Sequence, residues 1–207
     1  MRGKLLRRVA ASAFFVVLAG CTPSQPTRYF ALTPMSDAMP IAETDKAIGV
    51  FPIVLANYLD RNGIVMRTSP NELTVAGTDN WIEPLDLQIR GVVARNLGQL
   101  LGTERVFVLP EQRLLPFDHT VEIAVDRFDI EVGAAAAEGA AAAETVVLEG
   151  RWALFEGESR DVLKTAPVRI TEAVASPADF ERRAAAMSEA ATRLSRLIAA
   201  AIAVQDN

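Results

Sequence analysis

The chain has few of the residues on which enzyme active sites and metal sites are usually built. Its 207 residues include one cysteine, Cys21, and one histidine, His119. One residue of each type falls short of the four ligands that structural zinc sites use. The sequence also lacks a G-x-S-x-G motif, a P-loop and a G-x-G-x-x-G motif, which are signatures of serine hydrolases and of nucleotide binding. We therefore predict a protein that is not an enzyme and that uses no metal and no cofactor.

The other residues that could act in catalysis or bind a metal ion have simpler interpretations. His119 follows Asp118 in a loop ahead of a strand, without a nucleophile motif beside it, and we expect it to be a surface or structural residue. Asp126, Asp129 and Glu131 lie between the apolar positions of one strand. Because alternate residues of a strand face opposite sides, these acids predict a solvated face rather than a calcium site.

The charge balance argues against nucleic acid as a partner. The chain has 21 basic and 26 acidic residues, a net charge of −5. Four of the basic residues lie within the first 20 positions, so the remainder carries 17 basic against 26 acidic residues, a net charge of −9. An acidic body is repelled by phosphate backbones and by anionic surfaces, although a local basic patch is compatible with it.

The first 20 residues have the features of a secretory signal. Basic residues open the chain, and "VAASAFFVVLAG" (9–20) follows without a charge. This run is shorter than the roughly 20 apolar residues of a membrane-spanning helix, and its position after a basic segment is typical of export signals. It ends in "LAGC", which looks like a bacterial lipobox. We predict cleavage before Cys21 and lipid attachment to its thiol. The alternative is a buried or free thiol, which is a liability in an exported protein.

These features divide the chain into three parts. Residues 1–20 are the predicted lipoprotein signal peptide. Residues 21–28 form a lipidated tether, since "TPSQPTR" contains two prolines and no large apolar side chain. Residues 29–207 are predicted to form a single domain, because half of the chain is hydrophobic and the length suits one core.

Short apolar segments in the domain predict strands. The candidates are "YFAL" (29–32), "AIGVFPIVL" (47–55), "IVMRT" (64–68), "ELTVA" (72–76), "ERVFVLP" (104–110), "TVEIAVDRFDIEV" (120–132), "ETVVLEGRWALFE" (144–156) and "DVLKTAPVRITEAV" (161–174). Pro52 removes a ladder donor and predicts an edge or a bulge. In 120–132 the apolar parity changes midway, which predicts a bulge near Asp126–Arg127. We interpret the alanine-rich segment 133–143 as a long hairpin loop.

Two segments have helical periodicity. Over residues 80–101 apolar residues recur at helical spacing, with Asp79 or Asn80 as the predicted cap, Pro84 in the first turn and Gly102 as a left-handed C-terminal cap.

The second helix is predicted to follow Ser176 as its N-cap, with Pro177 first and Asp179 third. Its apolar stripe comprises Phe180, Ala184, Met187, Ala191, Leu194, Ile198 and Ala201. The stripe predicts packing on the domain's own sheet, with a homo-oligomer seam through residues 177–203 as the alternative. Arg182 and Arg183 are expected on the exposed face.

The elements together predict an α+β fold. Because the connections between strands are short, we expect a mostly antiparallel sheet of six to eight strands, with two long helices packed on one face.

Several strings resemble one family across almost the whole chain after Cys21. They are "CTPSQPTRYFALTP", "IGVFPIVLANYLDRNGIVMRTSPNELTVA", "WIEPLDLQIRGVVARNLGQLLG", "VEIAVDRFD" and "LEGRWAL". In their order and spacing they are similar to the auxiliary lipoproteins of ABC-type lipid transport systems, the paraquat-inducible protein C-like family. The alanine-rich 133–143 segment departs from that pattern.

The resemblance implies a function without catalysis. Members of the family work with an MCE-domain protein, a permease and an ATPase to move lipids between the inner and outer membranes. Thr22, rather than aspartate, follows Cys21, which resembles the sorting signal of outer-membrane lipoproteins facing the periplasm. The chain is then expected to dock or bridge the transporter at that membrane. Two alternatives are a module that carries lipid in its own cleft and an envelope structural lipoprotein unrelated to transport.

Partner contacts are expected from exposed aromatic and arginine side chains, which often anchor interfaces. Arg28 and Tyr29 follow the tether, and Tyr58 and Arg61 lie at a turn. The alternative is that Tyr29 and Phe30 pack into the sheet. Since successive strand residues face opposite ways, only one of those two needs to be buried.

Overall fold

Nine strands and two α-helices make up the part of the chain that the structure describes. A computed structural model describes residues 25–36, 39–109, 116–134, 142–157, 159–176 and 179–205, so Cys21, Pro177 and most of the alanine-rich segment lie outside it. The elements are β1 (Arg28–Phe30), β2 (Ile48–Val50), β3 (Val54–Leu55), a 3₁₀ turn (Asn57–Leu59), β4 (Gly63–Ser69), β5 (Glu72–Trp81), α1 (Leu85–Leu100), β6 (Val106–Val108), β7 (His119–Val132), β8 (Glu144–Glu156), β9 (Asp161–Ala173) and α2 (Phe180–Gln205).

The sheet is mixed, so the prediction of a mostly antiparallel sheet of six to eight strands was wrong. β7 pairs with β8 along its whole length, and β2, β3 and β4 lie in parallel, one after another, along its other edge. β1 pairs with β5 and β2 with β6, also in parallel, whereas β4–β5 and β8–β9 are antiparallel. A short connection makes the two strands that it joins antiparallel, as in β4–β5 and β8–β9. It does not determine how strands that are distant in sequence pair. The chain returns to β7 through α1, a crossover long enough for parallel pairing.

Pro52 divides the predicted 47–55 strand into β2 and β3. On either side of it, the Phe51 N–H donates to the Val121 carbonyl at 3.0 Å and the Ala56 N–H donates to the Val125 carbonyl at 2.9 Å. The chain therefore follows the edge of β7 past the proline, and Pro52 lies in the break between β2 and β3 rather than on an edge strand, since β2 is paired with β6 and with β7.

The predicted bulge in β7 is confirmed. The register with β8 shifts between Val125 and Arg127. Because of this shift, Val125 before the bulge and Phe128 after it both face the core and are almost fully buried. Gly150 of β8 lies opposite Val125 at this point.

α1 begins later than predicted. Its first residue is Leu85, and Pro84 precedes it without a side-chain cap. Asp79 and Asn80, the predicted caps, belong to β5, because β1 pairs alongside them and extends that strand to Trp81. At the other end the prediction is confirmed, since Gly102 has a φ of 57°, the left-handed conformation that glycine adopts most easily.

The N-cap of α2 is Asp179 and not Ser176. The Arg182 N–H donates to Asp179 Oδ1 at 2.8 Å, which is the side-chain bond that defines an N-cap. This backbone hydrogen bond is the main cause of the lowered pKa of Asp179. Ser176 lies in the loop before the helix.

The apolar stripe of α2 packs within the domain. Its members from Ala184 to Ala201 are buried and belong to one core cluster with α1 and the inward-facing strand residues. α2 packs on β8 and β9, and α1 packs on α2 and β6. Packing on the domain's own sheet is therefore confirmed. In the described part of the chain neither helix is long and apolar enough to span a membrane.

Candidate functional site

The four predicted contact residues have different environments. Arg28 is tied to Asp79, with its Nη2 2.6 Å from Oδ1, and its guanidinium lies 5.5 Å from the Phe30 ring centroid. Tyr29 is 61% exposed, whereas Phe30 faces the other way and packs against Phe180 at 6.1 Å. Alternation thus buries one aromatic of the pair and exposes the other, which leaves Tyr29 free for a contact.

Tyr58 and Arg61 also differ in their environments. The Tyr58 hydroxyl donates to Asp129 Oδ2 at 3.0 Å, and the ring is half-buried. Arg61 is exposed. Arg28 and Tyr58 are each paired with a carboxylate of the domain, that of Asp79 and that of Asp129 respectively. The Arg28 side chain is still 58% exposed, and Tyr29 and Arg61 are exposed as well.

The Tyr58 contact belongs to a buried charge cluster that the sequence did not reveal. Asp129 is fully buried, so its predicted place on a solvated face was wrong. Its carboxylate accepts from Arg67 Nη2 at 3.0 Å and from Arg127 Nε at 2.9 Å. Arg127 also reaches Glu131 at 2.7 Å. We call these five residues the Asp129 cluster.

The Asp129 cluster holds Tyr58 in its neutral form. Burial is the largest cause that raises the pKa of Tyr58 to about 12, and the charge of Asp129 is the next. An ionised phenol beside a buried carboxylate would be doubly unfavourable, since burial and like charge both penalise it. The cluster is therefore a hydrogen-bond network with a charge balance of two arginines and two acids. Its geometry suits holding β4, β7 and the 3₁₀ turn together.

Two other sequence interpretations change with the structure. Arg183 is not on an exposed face, because it forms two hydrogen bonds to Glu144, at 2.7 and 2.6 Å, in a largely buried ion pair. His119 is buried as the first residue of β7, in agreement with a structural role. Among the described residues no group of three or more His, Cys, Asp or Glu side chains is placed to hold a metal ion.

An apolar groove lies on the face of β7 and β8 that carries Glu122, Ala124 and Arg151. Its volume is about 360 Å³, and its lining includes Phe51, Pro52, Val54, Ala124, Trp152 and Ala153. Val54 is 67% exposed. A volume near the lower end of ligand pockets, and an open form, suit an inserted side chain better than a whole lipid.

Cations flank aromatic side chains in and beside this groove, which we call the outer groove. Arg160 lies 5.4 Å from the Phe51 ring centroid and 5.5 Å from that of Phe155, and it is paired with Glu122. Lys164 lies 6.0 Å from the Trp152 ring. An apolar floor with cation-flanked aromatics is typical of protein–protein contacts, where aromatic and arginine residues concentrate.

The segment after β1 is hydrogen-bonded to side chains of both helices. Residues 32–35, which we call the strap, direct three backbone N–H groups to buried side chains of α1 and α2. The bonds are Leu32 to Gln88 Oε1 at 2.7 Å, Thr33 to Ser188 Oγ at 3.0 Å and Met35 to Asn96 Oδ1 at 2.9 Å. Because the acceptors are themselves buried, a free strap would leave them unpaired, which is costly. The sequence signal was the presence of Gln88 and Asn96 among the apolar positions of α1.

Comparisons with known proteins agree with this fold. The model of the family described as ABC-type transport auxiliary lipoprotein component matches residues 30–199. The "Intermembrane transport lipoprotein PqiC" of Escherichia coli is 27% identical over 116 residues, which are 54% of this chain and 60% of that relative. The chain thus aligns with somewhat more than half of the curated relative's length.

Two solved structures share the fold. A crystal structure of an uncharacterized protein has a TM-score of 0.68 at 22% identity, covering 86% of this chain and 99% of the other. Protein XCC0632 from Xanthomonas campestris has a TM-score of 0.70 at 18% identity, covering 87% and 98%. With the family model matching most of the domain, the chain belongs to the family of ABC-type transport auxiliary lipoprotein components.

Proposed function

We propose that this protein is the auxiliary lipoprotein of an ABC-type lipid transport system of the Gram-negative envelope. The family match over residues 30–199 carries the proposal, and the similarity to an intermembrane transport lipoprotein supports it. In this proposal Cys21 is lipidated, the anchor lies in the outer membrane facing the periplasm, and the domain docks or bridges an MCE-domain protein. The family is one of transport auxiliary lipoproteins and not of enzymes, so the contribution of this chain is binding.

Membrane fractionation with co-purification tests the proposal. The full-length protein should be found in outer-membrane fractions and should co-purify with an MCE-domain protein after mild extraction. Cys21→Ser should release the protein from membranes, because no thiol remains to be lipidated, while its domain stays folded. Residence in another compartment, or membrane-extracted protein that carries lipid but no protein partner, would contradict the proposal.

We propose that the outer groove is the docking surface for the MCE-domain protein, together with the exposed Tyr29 and Arg61. Val54→Asp places a charge at the mouth of the groove, and we expect it to weaken partner co-purification about tenfold or more, since truncating or charging an interface anchor costs more than ~1–2 kcal/mol. Val204→Asp is a matched control, because Val204 is 70% exposed at the end of α2, outside the groove. Equal co-purification of the two variants would remove the groove from the proposal.

A further inference from the structure

Strand β1 is joined to the lipid anchor by the tether, and it pairs with β5, which begins at the β4–β5 turn. We infer that the β4–β5 turn, with Pro70 and Asn71 in the turn and Ser69 at the end of β4, rests on the surface of the lipid bilayer to which Cys21 is anchored, and that the β8–β9 turn points away from it. The inference rests on the lipid attachment in the proposed function, and it adds the orientation of the domain. The partner that the β4–β5 turn contacts is a phospholipid surface.

The direction of the tether follows from strand pairing. β1 is parallel to β5, with Arg28 opposite Asp79 and Phe30 opposite Trp81. The chain that precedes Arg28 therefore leads toward the beginning of β5 at Glu72. β5 begins directly after the β4–β5 turn, so the anchor and that turn are on the same side of the domain.

The reach of the tether brings the turn to the bilayer. Arg28 lies seven Cα–Cα steps after Cys21, and seven steps span at most about 25 Å. Asp79 likewise lies seven steps after Glu72, and a regular strand of that length spans about 24 Å. The β4–β5 hairpin thus extends about as far beyond Arg28 as the fully extended tether does. A less extended tether brings the turn still closer to the bilayer.

The attachment of β1 to the domain is firm enough to fix this direction. Arg28 is paired with the buried Asp79, the Ile82 N–H donates to the Phe30 carbonyl at 2.9 Å, and the strap follows immediately on buried acceptors. Swinging β1 outward would leave those acceptors unpaired. The point at which the tether joins the domain, and the direction of the chain at that point, are therefore fixed by β1.

The side chains of the turn are compatible with contact to lipid headgroups, and this contact does not require electrostatic attraction. Ser69, Pro70 and Asn71 are exposed, and the exposed apolar Leu73 and Val75 lie just behind them on β5. The rest of the chain is acidic, so attraction to anionic lipid is not the cause of the contact. Contact enforced by a short tether should persist at high salt, whereas contact through surface charges would be screened.

The opposite end of the sheet lies far from this surface. β7 has 14 residues, which span roughly 45 Å in a strand. Arg67 of β4 lies opposite Glu131 near the end of β7, whereas Glu156 of β8 lies opposite His119 at its beginning. The β8–β9 turn is therefore remote from the bilayer, where a partner that comes from the periplasm can reach it.

Single-cysteine labelling tests the orientation, because Cys21 is the only cysteine and its thiol is occupied when lipidated. Ser69→Cys at the β4–β5 turn and Ser159→Cys at the β8–β9 turn are matched substitutions of exposed serines. Each lipidated full-length variant is labelled with a thiol-reactive fluorophore and reconstituted in vesicles of phosphatidylethanolamine and phosphatidylglycerol that carry headgroup spin-labelled lipid. Asn71→Cys provides a second position in the membrane-side turn.

We expect the probes at positions 69 and 71 to lose most of their emission to the lipid quencher, at low and at high salt, and the probe at position 159 to keep most of its emission. Equal quenching at both ends, or stronger quenching at position 159, would overturn the orientation. Labelling of the wild-type protein at Cys21 would show a free thiol and overturn the lipid anchor as well. Failure to co-purify an MCE-domain protein while the quenching pattern holds would overturn the docking proposal alone.

Discussion

Replacing Asp129 with alanine should lower the free energy of unfolding by about 3–5 kcal/mol, the usual cost of removing one partner from a buried ion pair. Its carboxylate is fully buried and accepts bonds from Arg67, Arg127 and Tyr58. Without it, two guanidinium groups with side chains only 20% and 16% exposed are left close together and without their shared anion. The network then loses both its hydrogen bonds and its charge balance.

Urea unfolding followed by tryptophan fluorescence measures this effect, since Trp81 and Trp152 are both buried. Glu131→Ala is the control within the Asp129 cluster. The Glu131 side chain is 51% exposed and pairs with Arg127, so we expect a loss below about 1 kcal/mol. Similar losses for the two variants would show that burial of the carboxylate does not determine its contribution.

A second readout of the same network is the ionisation of Tyr58. In Asp129→Asn the negative charge is removed while burial remains, so the pKa of Tyr58 should fall from about 12 toward its ordinary value of 10.0 without reaching it. In the wild-type protein the raised pKa has a defined effect on stability. Below pH 10 its contribution is complete, and it is lost as the pH rises from 10 toward 12, because the unfolded chain releases the proton first.

Tyrosinate absorbance during an alkaline titration follows this ionisation, and Tyr58→Phe identifies the component that belongs to Tyr58, since the chain has only two tyrosines. An unchanged late component in Asp129→Asn would show that Asp129 does not act on the phenol.

The second large effect is expected at Gly150, where alanine should destabilise the fold by about 3 kcal/mol, at the upper end of overpacking costs. A Cβ at this position would overlap the carbonyl oxygen of Ala124 and approach Val125 Cα to 3.1 Å. Both neighbours are backbone atoms of β7 beside its bulge, so neither can move aside as a flexible side chain would. The bulged strand lies closer to β8 here, and only glycine leaves room for it.

Gly77→Ala is the matched control for Gly150→Ala. Gly77 also lies in a strand, β5, but a Cβ there would meet nothing within 4 Å. We expect a change within about 0.5 kcal/mol, with a small gain if the less flexible unfolded chain dominates. Comparison of the two urea midpoints decides the matter, and equal shifts would mean that the close backbone approach at Gly150 is not the cause.

Local patterns determined several features correctly because they depend on neighbouring residues only. The parity change around Asp126–Arg127 located the bulge of β7, and the spacing of apolar residues identified the buried stripe of α2. Gly102 marked the end of α1. In each case the information lies in the periodicity of a single element, which the chain carries wherever that element is placed.

The tertiary structure decided what those elements meet. The sequence could not show that β2, β3 and β4 share one edge of β7, because that pairing depends on the crossover through α1 and not on short connections. It placed Asp129 on a solvated face, since alternation reports which side a residue faces but not that Arg67, Arg127 and Tyr58 cover that side.

The predicted contacts divide for the same reason. Sequence alone made Arg28, Tyr29, Tyr58 and Arg61 equivalent. The fold pairs Arg28 and Tyr58 with carboxylates and half-buries only Tyr58, whereas the other three side chains are exposed. The apolar periodicity of α1 gave Gln88 and Asn96 no role, and they prove to be the acceptors for two of the bonds from the strap. Hydrogen-bond partners 56 and 61 residues apart leave no local pattern, so only the packed chain shows how the tether is joined to the domain.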